Sequence, residues 1–289
     1  MNYLLHIAVM VEIYILLALS ANQKVGLSGL LSLAQAVFYG IGAYAIAITV
    51  TKFGFSYWLA LPAAMLACVL AALIFSFIAG RVRELYFSLA TLALQIIFFS
   101  VVYNWNFVTN GSYGISGISS PEIYGFKINT PGSFALFGGF WVLTVLLFYK
   151  WFLKTPVSRL IQATRDDQIV VLNLGKNPNY YKRISIILSS VIAGIAGTLY
   201  ATYATYIDPT SFTLDESILI LSIVLIGGAG RIIGPVTGAV IYILLPELLK
   251  FVQIPDSFAA NMRMILFGLL LVLIVRFKPK GIFGKYLIK

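Results

Sequence analysis

The sequence predicts an all-α, polytopic bundle of transmembrane helices with about nine spans, eight to ten being the range that its length allows. Three observations carry this expectation. Of the 289 residues, 60% are hydrophobic and only 10% charged, against roughly 25% charged in an ordinary soluble domain. Six apolar windows are each long enough to cross a bilayer, at about 20 residues per crossing. The 20 Lys+Arg outnumber the 10 Asp+Glu, and in membrane proteins such an excess gathers in cytoplasmic loops and meets anionic headgroups. A soluble globular protein is excluded, nucleic-acid binding is the weaker use of the charge, and residues 1–289 read as a single membrane domain.

The six windows run from Tyr3 to Ala21, Leu30 to Val50, Tyr57 to Ala79, Leu85 to Tyr103, Phe134 to Phe152 and Ile184 to Tyr206. The first lacks a basic leader and carries Glu12 inside the run, so it is expected to remain as a span. Three weaker segments follow. Ser217 to Gly230 is short and ends in Gly227-Gly228-Ala229-Gly230, Ile232 to Leu249 carries Pro235 and Gly238, and Ala259 to Val275 carries Arg263. All three crossing gives nine spans; one of them re-entrant within 217–249 gives eight.

Orientation follows from the cations, whose translocation is resisted. In the nine-span arrangement 15 of them fall on one side: six in the segment from Lys154 to Arg183, then Lys24, Arg81, Arg83 and Arg231, and five from Arg276 to Lys289. The other side holds Lys52, Lys127, Lys250 and Arg263, and Asp208, Asp215 and Glu216 without a base in the connection from Ile207 to Glu216. The cation-rich side is therefore expected to be cytoplasmic, with the C-terminus inside and the N-terminus outside.

Two connections are longer than a bundle needs, and such loops tend to be functional. The outer one, residues 104–133, holds the glycine- and serine-rich stretch TNGSYGISGISSP. The inner one, residues 154–183, is expected to hold one amphipathic helix. Leu160, Ala163, Thr164, Val170, Val171 and Leu174 fall at helical spacing, and Gly175 with Pro178 supplies a stop.

Enzyme motifs are absent. No G-x-x-x-x-G-K-[ST] occurs, so this chain cannot cradle ATP phosphates in a P-loop, and G-A-G-R-I-I-G at Gly228 to Gly234 is one residue too long for a dinucleotide fingerprint. One cysteine, Cys68, and one histidine, His6, cannot build the usual zinc or haem site. No catalytic residue, metal or cofactor is expected in this chain.

Glycines interrupt two apolar stretches: Gly26 to Ile46, which also places Gln35 at membrane depth, and Gly230, Gly234 and Gly238, where Pro235 is expected to prevent a regular helix. Interrupted spans in both halves of a transporter point to the substrate path; equally, such glycines can simply let helices pack closely. The path residues taken from these stretches and from the outer loop are Gln35, Gly40, Gly42, Asn110, Gly111 and Ser112, with Gly227, Gly228, Gly230 and Gly234. Glu12 is the one acid well inside a secure window, and it reads as a packing or partner-facing group because no base lies within a turn or two. His6 is expected at the membrane interface.

GLSGLLSLAQAVFYGIGAYAIAI, LYFSLATLAL, VTNGSYGISGI, TPVSRLIQATRDDQIVVLNLGKNP and IGGAGRIIGPVTGAV occur in that order. Over about Gly26 to Leu245 the chain thereby resembles the membrane subunits of branched-chain amino acid ABC importers, the LivM-like permeases. The resemblance implies the ABC importer permease fold. It also implies a multi-pass location in a bacterial inner membrane, a second homologous permease subunit, two cytosolic ATPases that use ATP and Mg, and a periplasmic binding protein. The inner loop would carry the coupling helix that docks on the ATPase, which falls on Arg159, Ala163, Arg165, Asp166, Asp167, Leu174, Gly175 and Asn177. This chain departs from the family pattern at Ser158, Gln162, Val170, Val171 and Lys176, and Gln35 replaces a frequent His.

The function these features imply is an ATP-driven importer subunit that translocates branched-chain or related amino acids. An ABC permease for urea or short amides is one alternative. A second is a stand-alone secondary transporter of amino acids or other small polar solutes, which would need an intramembrane coupling-ion site; Glu12 serves poorly, since its helix is unbroken.

Overall fold

The computed structural model describes residues 2–79, 84–123 and 126–250, together with 268, 269, 271–274, 276–278 and 280–285. In chain order the elements begin with α1 (Asn2–Asn22), which runs on into a π-helical turn, Gln23–Leu27. Then come α2 (Gln35–Thr51), α3 (Tyr57–Ala79), α4 (Glu84–Asn104) and α5 (Asn106–Thr109). The loop strands β1 (Ile115–Ser116), β2 (Glu122–Ile123) and β3 (Phe126–Lys127) lead to α6 (Pro131–Phe152). α7 (Pro156–Asp166), α8 (Gln168–Asn173) and α9 (Pro178–Ala204) follow, then β4 (Tyr206–Ile207), α10 (Leu214–Gly227) and α11 (Ile233–Lys250). The expected Ala259 to Val275 span, and with it Arg263, lies largely outside the described residues, as do Arg81, Arg83 and Lys289.

Among the described residues, five helical stretches are long and apolar enough to cross a membrane: Tyr3–Leu27, Tyr57–Phe77, Tyr86–Asn104, Pro131–Phe152 and Pro178–Ala204. α2 and Ile233–Leu245 are shorter apolar helices. α10, with 14 residues, rises about 21 Å, less than a hydrocarbon core of about 30 Å.

Three helix starts share one device. Thr130-Pro131, Thr155-Pro156 and Asn177-Pro178 each pair an N-cap side chain with proline at the first helical position. The cap accepts from a free backbone N–H, as Thr130 Oγ1 does from Ser133 N at 3.2 Å, and proline has no N–H to leave orphaned. α9 forms the centre of the bundle and packs against α1, α2 and α3. α2 and α9 approach at glycines: a Cβ on Gly42 would overlap the backbone of Gly194, and one on Gly197 the carbonyl of Tyr39. α3, α4 and α6 turn large apolar side chains outward, among them Leu66, Ile74, Leu89, Phe140 and Leu147, a surface for lipid or another chain to cover.

The two ends of the bundle are distinct. At one end α7 meets the π turn, through Arg165 and Gly26; at the other α5 meets the end of α2, where Lys52 Nζ donates to Phe107 O at 2.6 Å. At that α5 end β1 pairs antiparallel with β4, and β2 with β3, so the described residues are helical with two minimal strand pairings.

Several expectations need correction. The Leu30 to Val50 window is not one helix: residues 30–34 are non-helical and α2 begins at Gln35. α9 stops at Ala204, because Thr205 is left-handed with φ 57° and Tyr206 enters β4. The short window at Ser217 begins earlier, at Leu214. Pro235 does not prevent a regular helix, since it lies in the first turn of α11, where its missing N–H costs no hydrogen bond. Lys24 is not a loop cation but is fully buried in the π turn.

Candidate functional site: the π turn, the α2 start and the α7–α8 loop

The π turn is where the Gly26 stretch, the α10–α11 glycines and the 154–183 loop meet. Asn22, just before it, donates Nδ2 to Tyr149 Oη at 3.0 Å and to Arg231 O at 3.2 Å, and accepts from Gly230 N at 2.8 Å. A Cβ on Gly26 would meet both Asn22 and the Gly230 backbone, so only glycine lets α1 close on the α10–α11 turn. Gln23 O accepts from Ser185 Oγ of α9 at 2.8 Å. π-helical turns are uncommon and cluster at functional sites.

Beyond the turn the chain runs non-helically to α2, whose start is capped by hydroxyls from other helices. Leu33 N donates to Thr91 Oγ1 at 2.9 Å, and Ala36 N to Ser217 Oγ at 2.9 Å. Ser217 Oγ in turn donates to Gln95 Oε1 at 3.0 Å, and Gln95 Nε2 to Phe212 O at 2.7 Å. Gln35 is buried; its Nε2 donates to Ser20 Oγ, and Ser20 bonds to Ser189 O at 2.8 Å. This polar seam joins α1, α2, α4, α9 and α10 inside an otherwise apolar bundle.

The glycines divide by role. Gly227, Gly228 and Gly234 bring the α10–α11 hairpin together: a Cβ on Gly234 would overlap the Gly228 carbonyl, and one on Gly227 the Gly234 carbonyl. A C-terminal strap closes over the hairpin, where Ile282 N, Phe283 N and Lys285 N donate to the carbonyls of Ile226, Gly227 and Ala229 at 3.1, 2.9 and 3.0 Å. The strap satisfies carbonyls that the end of α10 leaves free. Gly40 sits against Phe98 and Phe212.

Asn110, Gly111 and Ser112 are not brought to this seam. They lie at the α5 end, where Asn110 is left-handed with φ 63° and donates Nδ2 to Gly114 O at 2.9 Å. Nearby, Asp208 accepts from Thr210 Oγ1, Ser211 Oγ and Ser211 N at 2.6, 2.7 and 3.2 Å. Burial pushes the Asp208 carboxyl up, but these hydrogen bonds outweigh it and hold the group below the ordinary aspartate value.

The loop of residues 154–183 carries two helices in place of the single amphipathic one. Asp167 is extended, with φ −157°, and caps α8 by accepting from Ile169 N at 2.7 Å; an Asp at this position favours the break over a continuous helix. The stripe splits accordingly. Ser158, Ile161 and Thr164 of α7 are buried against the bundle, and Val171 alone of α8 is buried. Ile169, Leu172 and Leu174 are 65, 57 and 62% exposed, an apolar face left uncovered.

The polar residues of the loop also divide. Arg159, Asp166, Asp167, Gly175 and Asn177 are exposed, Ala163 is half-buried, and Arg165 turns inward to donate to Gly26 O. Sequence reasoning missed Asn22, Lys24 and Ile169. Ile169 lies one residue off the stripe, and its exposure follows from the break at Asp167.

Glu12 lies against Gly138 and Gly139 of α6, where its carboxylate fills the space that a Cβ on Gly138 would take. His6 stacks on Tyr203, with Nδ1 and Oη 2.7 Å apart.

A family model described as branched-chain amino acid transport system / permease component matches residues 3–275. Two relatives named high-affinity branched-chain amino acid transport system permease protein LivM, from Salmonella typhimurium and Escherichia coli, are each 31% identical over 96% of this chain and 69% of their own length. A ribose import permease protein RbsC of Escherichia coli is 28% identical over 56% of this chain and 51% of its own. No solved structure matches.

Proposed function

The chain belongs to the branched-chain amino acid transport permease family, and from that premise we propose that it is the membrane-spanning subunit of an ATP-driven importer carrying branched-chain or related amino acids across a bacterial inner membrane. It would span the membrane about nine times, with the α7–α8 end and the C-terminus in the cytoplasm. The chain would pair with a second homologous permease, two cytosolic ATPases and a periplasmic binding protein. ATP and Mg are used by the ATPases and not by this chain.

One observation carries the coupling role: α8 and its C-cap leave Ile169, Leu172 and Leu174 uncovered on the same loop whose Arg165 is fixed to the π turn. An apolar helical face on a loop suits a groove on a partner. Exposed Asp166, Asp167 and Lys176 rim that face and suit the setting of register. Motion of the docked ATPases would reach the π turn through α7 and rock α1 and α2 relative to α10 and α11. The low charge of the seam favours passage of a zwitterion with an aliphatic body.

Co-purification of the assembled complex, followed by ATPase and uptake assays in proteoliposomes with the binding protein and candidate amino acids, tests the reading. Amino-acid-stimulated ATP hydrolysis with uptake is the expected result. Uptake without any ATPase, driven by an ion gradient, would overturn it.

A further inference from the structure

The π turn holds a cation without a counter-charge. Lys24 is fully buried, its Nζ lies 3.4 Å from Ser32 Oγ and 4.8 Å from the centroid of the Phe38 ring. Lys127 pairs with Glu122 on the surface, and among the described residues no carboxylate reaches Lys24. Ser32 belongs to the non-helical stretch before α2, so the ammonium stands at the positive end of a helix that starts inside the bundle. A structural lysine in such a place is expected to find an acid, because a lone buried charge is costly.

The matching acceptor lies along the same seam. Gln35 spends its Nε2 on Ser20 Oγ, and its Oε1 has no partner although the residue is 2% exposed. Ser20 and Lys24 are four residues apart, one turn along the same face of the helix. Gln23, in the same turn as Lys24, is also buried with both amide atoms unpartnered. Native interiors rarely leave such groups unmatched. An unmatched ammonium and an unmatched amide oxygen, set on two facing elements, complement a carboxylate and an ammonium held on one carbon. A sugar needs neither charge, and an inorganic anion would be repelled by Oε1.

We infer that Lys24 and Gln35 form an occluded subsite for the zwitterion of an α-amino acid, Lys24 receiving the carboxylate, Gln35 Oε1 the ammonium, and Phe38 offering an apolar wall. In the conformation described, Ser32 and the Phe38 ring hold the Lys24 ammonium in the place of substrate. The inference rests on the importer reading above and names the chemistry within its path.

The test uses the full complex of this permease with its partner permease and ATPases in nanodiscs, without binding protein, and saturation-transfer NMR, which reads weak ligands. The probes are leucine, leucinamide, which lacks the carboxylate, and 4-methyl-2-oxopentanoate, which lacks the ammonium. Leucine should give methyl signals at millimolar concentration and leucinamide should bind about ten-fold more weakly, the worth of one charge-assisted hydrogen bond. Lys24→Met, similar in length and uncharged, should bring leucine down to the leucinamide level, and Lys24→Arg should restore part of the difference.

Removing a buried charge that has no partner breaks no ion pair, so Lys24→Met should keep its ATPases and melt no lower than the unaltered protein. Gln35→Met gives a second arm: it should weaken leucine and leave the oxo-acid unchanged. Equal leucine signals in the unaltered protein and in both variants, or no leucine signal in the unaltered protein, overturns the subsite. Failure of the unaltered complex to take up any amino acid with its binding protein overturns the importer reading instead.

Discussion

Arg165, on α7, donates a hydrogen bond to the carbonyl of Gly26 in the π turn that ends α1. Its aliphatic stem also covers Gly29, where φ is +68° and a Cβ would strike Arg165 Cγ. The guanidinium is thus an inward strut and not part of the exposed rim, unlike its neighbour Asp166. Arg165→Ala should therefore leave association with the ATPases within about two-fold, since rim contacts are untouched, but lower transport per ATP hydrolysed by about ten-fold or more. Pull-down of the ATPases beside uptake in vesicles separates the two; loss of association with coupling intact would return Arg165 to the docking surface.

The uncovered face of α8 makes the opposite prediction. Leu172→Asp and Leu174→Asp place charge on side chains already more than half exposed, so the permease alone should keep its melting temperature. A charge inserted into an apolar groove forfeits a buried leucine contact, about 2 kcal/mol or more, so ATPase association should fall at least about thirty-fold. Unchanged co-purification of the double variant would show that this face docks nothing.

In the α10–α11 hairpin, glycine is required by backbone contact. A single methyl at Gly234 would occupy the space of the Gly228 carbonyl oxygen, and overpacking of this kind costs about 1–3 kcal/mol. Gly234→Ala should lower the melting temperature of the purified permease and Gly234→Leu should abolish assembly. A Gly234→Leu protein that melts like the unaltered chain would refute the close approach. Gly40, whose added Cβ would meet the movable rings of Phe98 and Phe212, should tolerate alanine better.

Length and apolar content located five of the six long windows as helices able to cross a bilayer, and glycine spacing pointed to the α10–α11 approach. The break at Leu30 to Ala34 was hidden, because a non-helical stretch can be as apolar as a helix when hydroxyls from other helices satisfy its backbone: Thr91 and Ser217 come from residues 58 and 181 positions away. Lys24 counted as a loop cation because composition records charge but not burial. Arg165 and Asp166 are adjacent in sequence, yet a helix turns successive side chains about 100° apart, so only packing decides which of them faces the bundle. The break between α7 and α8 was readable, since Asp167 is a good N-cap, but the surrounding apolar stripe outweighed it.

The Asp208 cap yields a prediction with a definite sign. Its carboxylate accepts three hydrogen bonds from Thr210 and Ser211, which favour the ionised form and hold its folded-state pKa below the ordinary value of 3.8. A group depressed on folding stabilises the fold fully above its unfolded pKa and loses that contribution as pH falls through the folded value. The stabilisation should therefore be constant across neutral pH and disappear only below 3.8. Asp208→Ala, which also removes the cap on residues 209–212, should expose the loop between α9 and α10 to proteolysis at pH 7. The difference from the unaltered protein should shrink as pH falls below 3.8, because there the native side chain is protonated and its acceptor strength is lost. Limited proteolysis with an acid-stable and a neutral protease, compared at both pH values, checks this. A difference that grows on acidification would mean that desolvation, not the three hydrogen bonds, governs the carboxyl.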